Sequence, residues 1–346
     1  MNEELLVRLS DADGISAHED EVRDILHLEL DGKAKNVISD NIGSIGFEFL
    51  GSATNKIKLL ILAHMDEVGF IVRSISPSGL VYVECIGGVT DTAKDNQQVR
   101  VTTRNNVKYK GLLNSVRDEN HKVKELYVDF GFDCESEVRK SGISEGDMVC
   151  FDTKCKILED QNKVMGKALD DRAGCYCVCE LAKKLDGKCL NDVVIACTSS
   201  EEVGTRGGKT MTHLVNPDLV IAVDVASNPV SDRSFKNHRV LGCGPMVVFY
   251  DKTLSPNPRL IRYVRDLFDR CEIPYQNDML KGGGTDCALS HQENNGYLAM
   301  VLGIALRCCH GPVSFASLED IDACCEGLFR ICNSITKKDV DGFLRF

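Results

Sequence analysis

The sequence has no Cys-x-x-Cys pair, although it carries 17 cysteines in 346 residues. That absence removes the usual frameworks of a zinc ribbon and of a thioredoxin-like redox site. An odd cysteine count in so long a chain also argues against a disulfide scaffold. The cysteines are expected to act as small buried hydrophobes in a reducing compartment. No apolar run approaches the ~20 residues that a membrane span requires; the most apolar stretch, 57–63, already contains Lys58. No run of Lys and Arg offsets a formal charge of −11, which comes from 52 acidic and 41 basic residues. That sign opposes both a phosphate backbone and an anionic membrane. The opening residues, Met1-Asn2-Glu3-Glu4, are acidic and amphipathic, unlike a secretory signal. There is no internal repeat and no low-complexity tract. The expectation is a cytoplasmic protein with neither a nucleic-acid nor a membrane partner.

What the chain does hold is an ordinary globular composition, 43% apolar and 27% charged. At roughly 100–200 residues per domain, its length fits two domains or one large domain with an insertion. Ser16-Ala17-His18-Glu19 has the form of a capping box, and Val22, Ile25, Leu26 and Leu30 supply the apolar face of a following helix. The run 57–62 is continuously aliphatic, as expected of a strand buried on both faces. From about 69 to 163 the texture changes. Short β-type runs at 70–75, 80–85, 99–103, 124–130 and 148–151 are separated by turn residues, the pattern of a small all-β module. Beyond it, 173–185 reads as a helix, buried strands are expected at 193–197, 219–223 and 298–304, and a further strand at 247–250. Leu260, Ile261, Val264, Leu267 and Phe268 form one helical face; Ile321, Cys324, Leu328, Ile331 and Ile335 line a final helix capped near Ser317. This alternation predicts an α/β fold whose sheet is covered by helices on both faces. Residues 1–68 and 164–346 would form it, interrupted by an inserted β-rich domain at 69–163.

Ligands in open α/β folds bind at the carboxyl ends of strands. The first strand runs into His64-Met65-Asp66, and the β-rich stretch is followed by Gly166-Lys167-Ala168-Leu169-Asp170-Asp171-Arg172. Strand 193–197 leads to Thr198-Ser199-Ser200-Glu201-Glu202, strand 219–223 ends in Asp224, and His310 follows the late strand. Each has a plain structural alternative. A strand-end histidine is most often simply hydrogen-bonded, and the carboxylates could cap helices or sit in solvated turns. Gathered at strand ends, two histidines and several carboxylates instead form the donor inventory of a divalent-metal site.

Two glycine-rich stretches point elsewhere and fail. Val203-Gly204-Thr205-Arg206-Gly207-Gly208-Lys209-Thr210 ends like a P-loop, but valine stands where the first glycine belongs, and the adjacent Glu201 and Glu202 would face the phosphates. Gly282-Gly283-Gly284 lacks the order of a dinucleotide loop and reads as a close-approach loop.

Four motifs occur in a telling order: Ala63-His64-Met65-Asp66-Glu67-Val68-Gly69-Phe70, Gly166-Lys167-Ala168-Leu169-Asp170-Asp171-Arg172, Glu201-Glu202-Val203-Gly204-Thr205-Arg206-Gly207 and Gly282-Gly283-Gly284-Thr285-Asp286. Over nearly the whole chain, insertion included, the sequence resembles the glutamyl/deblocking (tetrahedral) aminopeptidases of metallopeptidase family 42. The resemblance implies two divalent ions per subunit, zinc or cobalt. Asp170 matches the carboxylate bridging them, His64 and Asp224 complete one ion, and Glu202 and His310 the other. Glu201 matches the general base, and Asp66 the carboxylate that orients the histidine ring. The implied reaction removes N-terminal residues from short peptides with a metal-activated water. The insertion matches a dimerisation domain, whose dimers assemble into a dodecamer.

The chain departs from that pattern beside the ligands. Arg307-Cys308-Cys309-His310-Gly311-Pro312-Val313-Ser314 stands where Arg-Tyr-x-His-Ser-Pro-x-Glu is common, and Val225-Ala226-Ser227-Asn228-Pro229 lacks the usual acidic residue before the proline. Two other readings compete. A glycan hydrolase would need a carboxylate pair and no histidine-bound metal. A non-catalytic assembly protein of the same fold would have no chemical reason to keep Glu201 and all five ligands.

Overall fold

Strands without a polar break can hydrogen-bond on both edges and bury both faces. Four such strands form the parallel centre of an eleven-stranded sheet in the computed structural model, which describes residues 2–227 and 239–345. In sheet order they are Asp192–Thr198, Lys58–His64, Leu219–Ser227 and Leu298–Arg307. Strand alternation sends Leu59, Ile61 and Ala63 into one core and Leu60 and Leu62 into the other. Helices Glu3–Asp11, Asp20–Leu30, Leu169–Leu185, Pro258–Arg270 and Leu318–Ser334 cover the first face; Arg206–Val215 and Cys287–Ser290 cover the second. Each buried leucine or isoleucine contributes roughly 1.5–3 kcal/mol. A one-residue slip would turn all of them to the wrong face, so the register is firmly set. It places Thr198 opposite His64, Ala222 opposite Leu62 and Asp224 opposite Gly303. The carboxyl ends of neighbouring strands thereby bring His64, the turn after Thr198 and Asp224 to one edge.

The insertion is a closed six-stranded antiparallel barrel, ordered Gly69–Ile75, Val81–Ile86, Val123–Asp129, Lys108–Arg117, Gln97–Thr102 and Met148–Phe151. Closure leaves no open strand edge. Inside, Phe70 meets Phe151 edge-on at 5.6 Å, among Val72, Val83, Val99, Val128 and Val149. An ion network ties the barrel to the α/β domain. Asp13, fully buried, faces Arg100 at 2.5 Å and Lys108 at 2.7 Å from the barrel, and Lys167 at 3.2 Å from the α/β side. Lys167 also meets Glu67 at 2.5 Å.

Several local expectations are corrected. The capping box at 16–19 does not form: Glu19 precedes helix Asp20–Leu30 without a side-chain cap. Ser16 Oγ instead donates to Asp66 Oδ2 at 2.6 Å, while Glu19 accepts from Ser199 Oγ at 2.8 Å and Ser200 N at 3.0 Å. Charge-assisted bonds to these distant buried partners outweigh the local cap. Strand Leu219–Ser227 continues past Asp224, because parallel pairing with Leu298–Arg307 persists to Ser227. Strand Lys156–Leu158 falls within the stretch 69–163, yet it pairs with Lys163–Gly166 in the large sheet, where Ile157 packs on the main core. Helix Leu318–Ser334 is not the last: Lys337–Phe343 follows, with a true capping box between Thr336 and Asp339. The cysteines are free thiols, and Cys175, Cys177, Cys179, Cys324 and Cys325 are buried as core residues. Among the described residues no helix is long and apolar enough to cross a membrane. Asn228 and Pro229 lie outside the described residues.

Candidate active site

His64 ends its strand and is 2% exposed. Its Nδ1 lies 2.9 Å from the backbone oxygen of Asp66, and its Nε2 lies 3.1 Å from Asp170 Oδ1. A ring that donates Nδ1–H to a carbonyl leaves Nε2 to face the centre. The ring contact expected from the Asp66 carboxylate is longer, 3.5 Å. That carboxylate also holds the backbone just beyond strand Asp192–Thr198. It accepts the amide of Glu201 at 2.9 Å and of Glu202 at 3.1 Å, besides the Ser16 hydroxyl. Burial pushes the Asp66 carboxyl up, but the His64 ring and these donors outweigh it and hold it below its usual range.

Asp170 stands between two histidines. Oδ1 faces His64, and Oδ2 faces His310 Nε2 at 3.2 Å. The two histidines overcome its burial and hold it far below the ordinary carboxylate range. The adjacent glutamates diverge: Glu201 Oε2 is 3.9 Å from His64 Nε2, whereas Glu202 Oε2 is 3.6 Å from His310 Nε2. Asp224 is buried within reach of His64 and Asp170, so that one donor atom from each lies within 4.8 Å of the others. His310 takes a positive φ of 57° after the last parallel strand, and its Nδ1 lies 3.0 Å from the Gly88 oxygen of the inserted domain.

This cluster is short of positive charge. Burial pushes Asp224 up to about 7 and Glu202 to about 8, each reinforced by Asp170, and burial raises Glu201 strongly. His310 is raised to about 9, first by its contact with Asp170. Arg172, though fully buried nearby, donates to backbone oxygens of Met65, Leu9 and Gly14 and to Glu67. Glu202 Oε1 is buried with no hydrogen-bond partner among the described residues. Two imidazoles and an excess of carboxylates, one with an orphaned oxygen, fit a pair of divalent cations.

The same residues fall inside the region, 43–326, that matches the M42 glutamyl aminopeptidase family. The chain belongs to that family. FrvX of Escherichia coli (strain K12) is 30% identical, over 100% of this chain and 99% of its own. The glutamyl aminopeptidase of Lactococcus lactis subsp. cremoris (strain MG1363) is 28% identical, over 90% of each. Among solved structures, the TET aminopeptidase from the marine-sediment archaeon Thaumarchaeota archaeon SCGC AB-539-E09 is similar at a TM-score of 0.93 and 29% identity, covering 99% of both chains.

Three supports of this M42 centre were not singled out in the sequence. Asp171 accepts the backbone amide of His64 at 3.2 Å and that of Gly174 at 3.1 Å. Asp286 accepts the Thr198 hydroxyl at 2.5 Å and the Gly208 amide at 3.1 Å. Gly88 buttresses His310. For the first two a signal existed, since each lies in a quoted motif. The P-loop-like glycines also find their reason: a Cβ at Gly207 would lie 2.6 Å from the Ser199 oxygen, and one at Gly208 2.5 Å from the Asp286 oxygen. The close-approach reading fails for Gly282 and Gly283, which have open space around them and border the cleft; Gly284 alone is tight, with Thr253 at 3.0 Å. That cleft, about 940 Å³, runs from the acidic cluster to Phe249, Met279 and Lys281.

Proposed function

We propose that the protein is a dinuclear metal-dependent aminopeptidase that removes N-terminal residues from short peptides. The observation that carries this reading is Asp170 placed between His64 and His310, at 3.1 Å and 3.2 Å. Asp170 would bridge two ions, zinc or cobalt, with His64 and Asp224 on one and Glu202 and His310 on the other. When bound, such ions supply Lewis acidity that polarises a carbonyl and makes water nucleophilic near neutral pH. Glu201, left outside that donor set, takes the proton of the attacking water and later returns it to the leaving amine. Asp66 keeps base and ligand apart by fixing both glutamate amides.

Hydrolysis of aminoacyl-anilides by the metal-loaded and chelated protein tests this. Loss on chelation and return with zinc or cobalt is expected; a chelator-resistant hydrolase acting on glycans would overturn it. Family resemblance supports a homo-oligomer in which the barrel mediates dimers that build a dodecamer. Light scattering should then give about twelve times the 38.1 kDa chain mass. The unbridged thiols support residence in a reducing cytoplasm.

A further inference from the structure

Cys309 does not sit like the other core thiols. Its Sγ is 2.8 Å from Asp170 Oδ2, the same oxygen that faces His310 Nε2 at 3.2 Å. Sulfur, carboxylate oxygen and imidazole nitrogen all lie within 4.8 Å of one another. A second, independent group at this end of the cleft lacks a counterpart: the Glu202 side chain is 5% exposed, and its Oε1 has no partner among the described residues. The backbone accounts for the placement. Cys308 and His310 both adopt a φ of 57°, and the chain bends at each, on either side of Cys309. Cys308 is left exposed while Cys309 and His310 meet at Asp170.

We infer that Cys309 is a further metal donor, as a thiolate, on the Asp170–Glu202–His310 side, and that it biases this half of the centre toward thiophilic ions. The inference rests on the two-ion reading above. On ligation the S–H bond breaks, its proton passes to solvent, and a sulfur lone pair is donated to the ion; no oxidant or reductant is involved. Thiolate selects zinc-like ions, whereas carboxylate and imidazole alone also suit manganese. The other half of the centre gains no such donor from Cys175, whose S–H is directed to the His64 backbone oxygen at 3.1 Å. The two halves therefore differ in softness, and an equal mixture of zinc and manganese should not fill them equally.

The test is anaerobic titration of the metal-free full chain with cobalt(II), read by near-ultraviolet and visible absorption, for the natural protein, Cys309→Ser and Cys308→Ser. A thiolate-to-cobalt charge-transfer band should arise with one of the two ions, persist in Cys308→Ser and vanish in Cys309→Ser. In zinc–manganese competition, Cys309→Ser should reduce the zinc preference of one ion by at least about tenfold, the scale seen when groups supporting a metal ligand are lost. Two bound cobalt ions without the band in the natural protein, or a band that survives Cys309→Ser, overturns the thiolate assignment and leaves the two-ion reading standing. Absence of cobalt binding removes both.

Discussion

The ring of His310 is held from the inserted barrel: its Nδ1 lies 3.0 Å from the Gly88 carbonyl oxygen, across 222 residues of sequence. The contact is doubled, since the Thr90 amide donates to the His310 oxygen at 3.0 Å. The insertion thus has a part in the centre itself, beyond the assembly role that resemblance implies for it. A Cβ at position 88 would stand 3.0 Å from His310 Nδ1, tight enough to displace the ring. Gly88→Ala should weaken the Glu202–His310 ion by about 10–100-fold, measured by zinc titration calorimetry, and excess zinc should restore turnover. Unchanged affinity would remove the barrel from the site.

Glu201 and Glu202 should separate cleanly. Glu201→Gln keeps size and hydrogen-bonding capacity but removes the proton acceptor, so kcat should fall by at least about 10²–10⁴-fold. KM and metal content should change little. Glu202→Gln should lose one ion and respond to added metal. If Glu201→Gln lost metal and Glu202→Gln kept it, the two roles would be exchanged.

The buried network around Asp13 predicts a pH signature in stability. Burial would raise the Asp13 pKa, but the charge of Lys167 and the Arg100 and Lys108 hydrogen bonds outweigh it and hold the carboxyl well below its usual range. A depressed folded pKa gives stability that is present above the unfolded value, near about 3.9, and is lost only as pH falls through the lower folded value. Asp13→Asn removes the carboxylate that Arg100, Lys108 and Lys167 share, leaving them Asp152, Glu21 and Glu67 respectively, and should cost about 1–3 kcal/mol in denaturant unfolding at pH 7. The difference should stay constant from pH 8 to pH 5 and narrow only below about pH 4. Narrowing already at pH 6 would show that Asp13 is not held ionised by this network.

The α/β half of the molecule was legible because buried parallel strands read as uninterrupted aliphatic runs, so His64 and Asp224 stood out where those runs meet polar residues. The α/β sheet with helices on both faces, and a small all-β insertion beside it, followed from the same contrast in texture; closure of that insertion into a barrel did not, because short runs and turns carry no signal for which strands pair at the ends. Strand Lys108–Arg117 gives no such signal because it buries only Leu113 and lacks an aliphatic run. The role of Asp66 was harder to see. Two residues after a histidine, its carboxylate suggests a ring partner, but the backbone oxygen of Asp66 comes closer to the ring and the carboxylate turns to the amides of Glu201 and Glu202. The capping box at Ser16 failed for the same reason: local sequence cannot register a buried carboxylate 50 residues away. Gly88 offered no signal, since nothing in a glycine next to another glycine announces a distant imidazole.

Two divalent ions held by Asp170, His64, Asp224, Glu202 and His310 would be countable. Elemental analysis of the full chain after anaerobic zinc loading and removal of free metal measures this directly. Two zinc ions per chain are expected, with Asp170→Asn reducing both sites together because its two oxygens face different histidines. A value that stays at zero would contradict the metallopeptidase reading, and a firm value of one would remove either the His64–Asp224 pair or the Glu202–His310 pair from the centre.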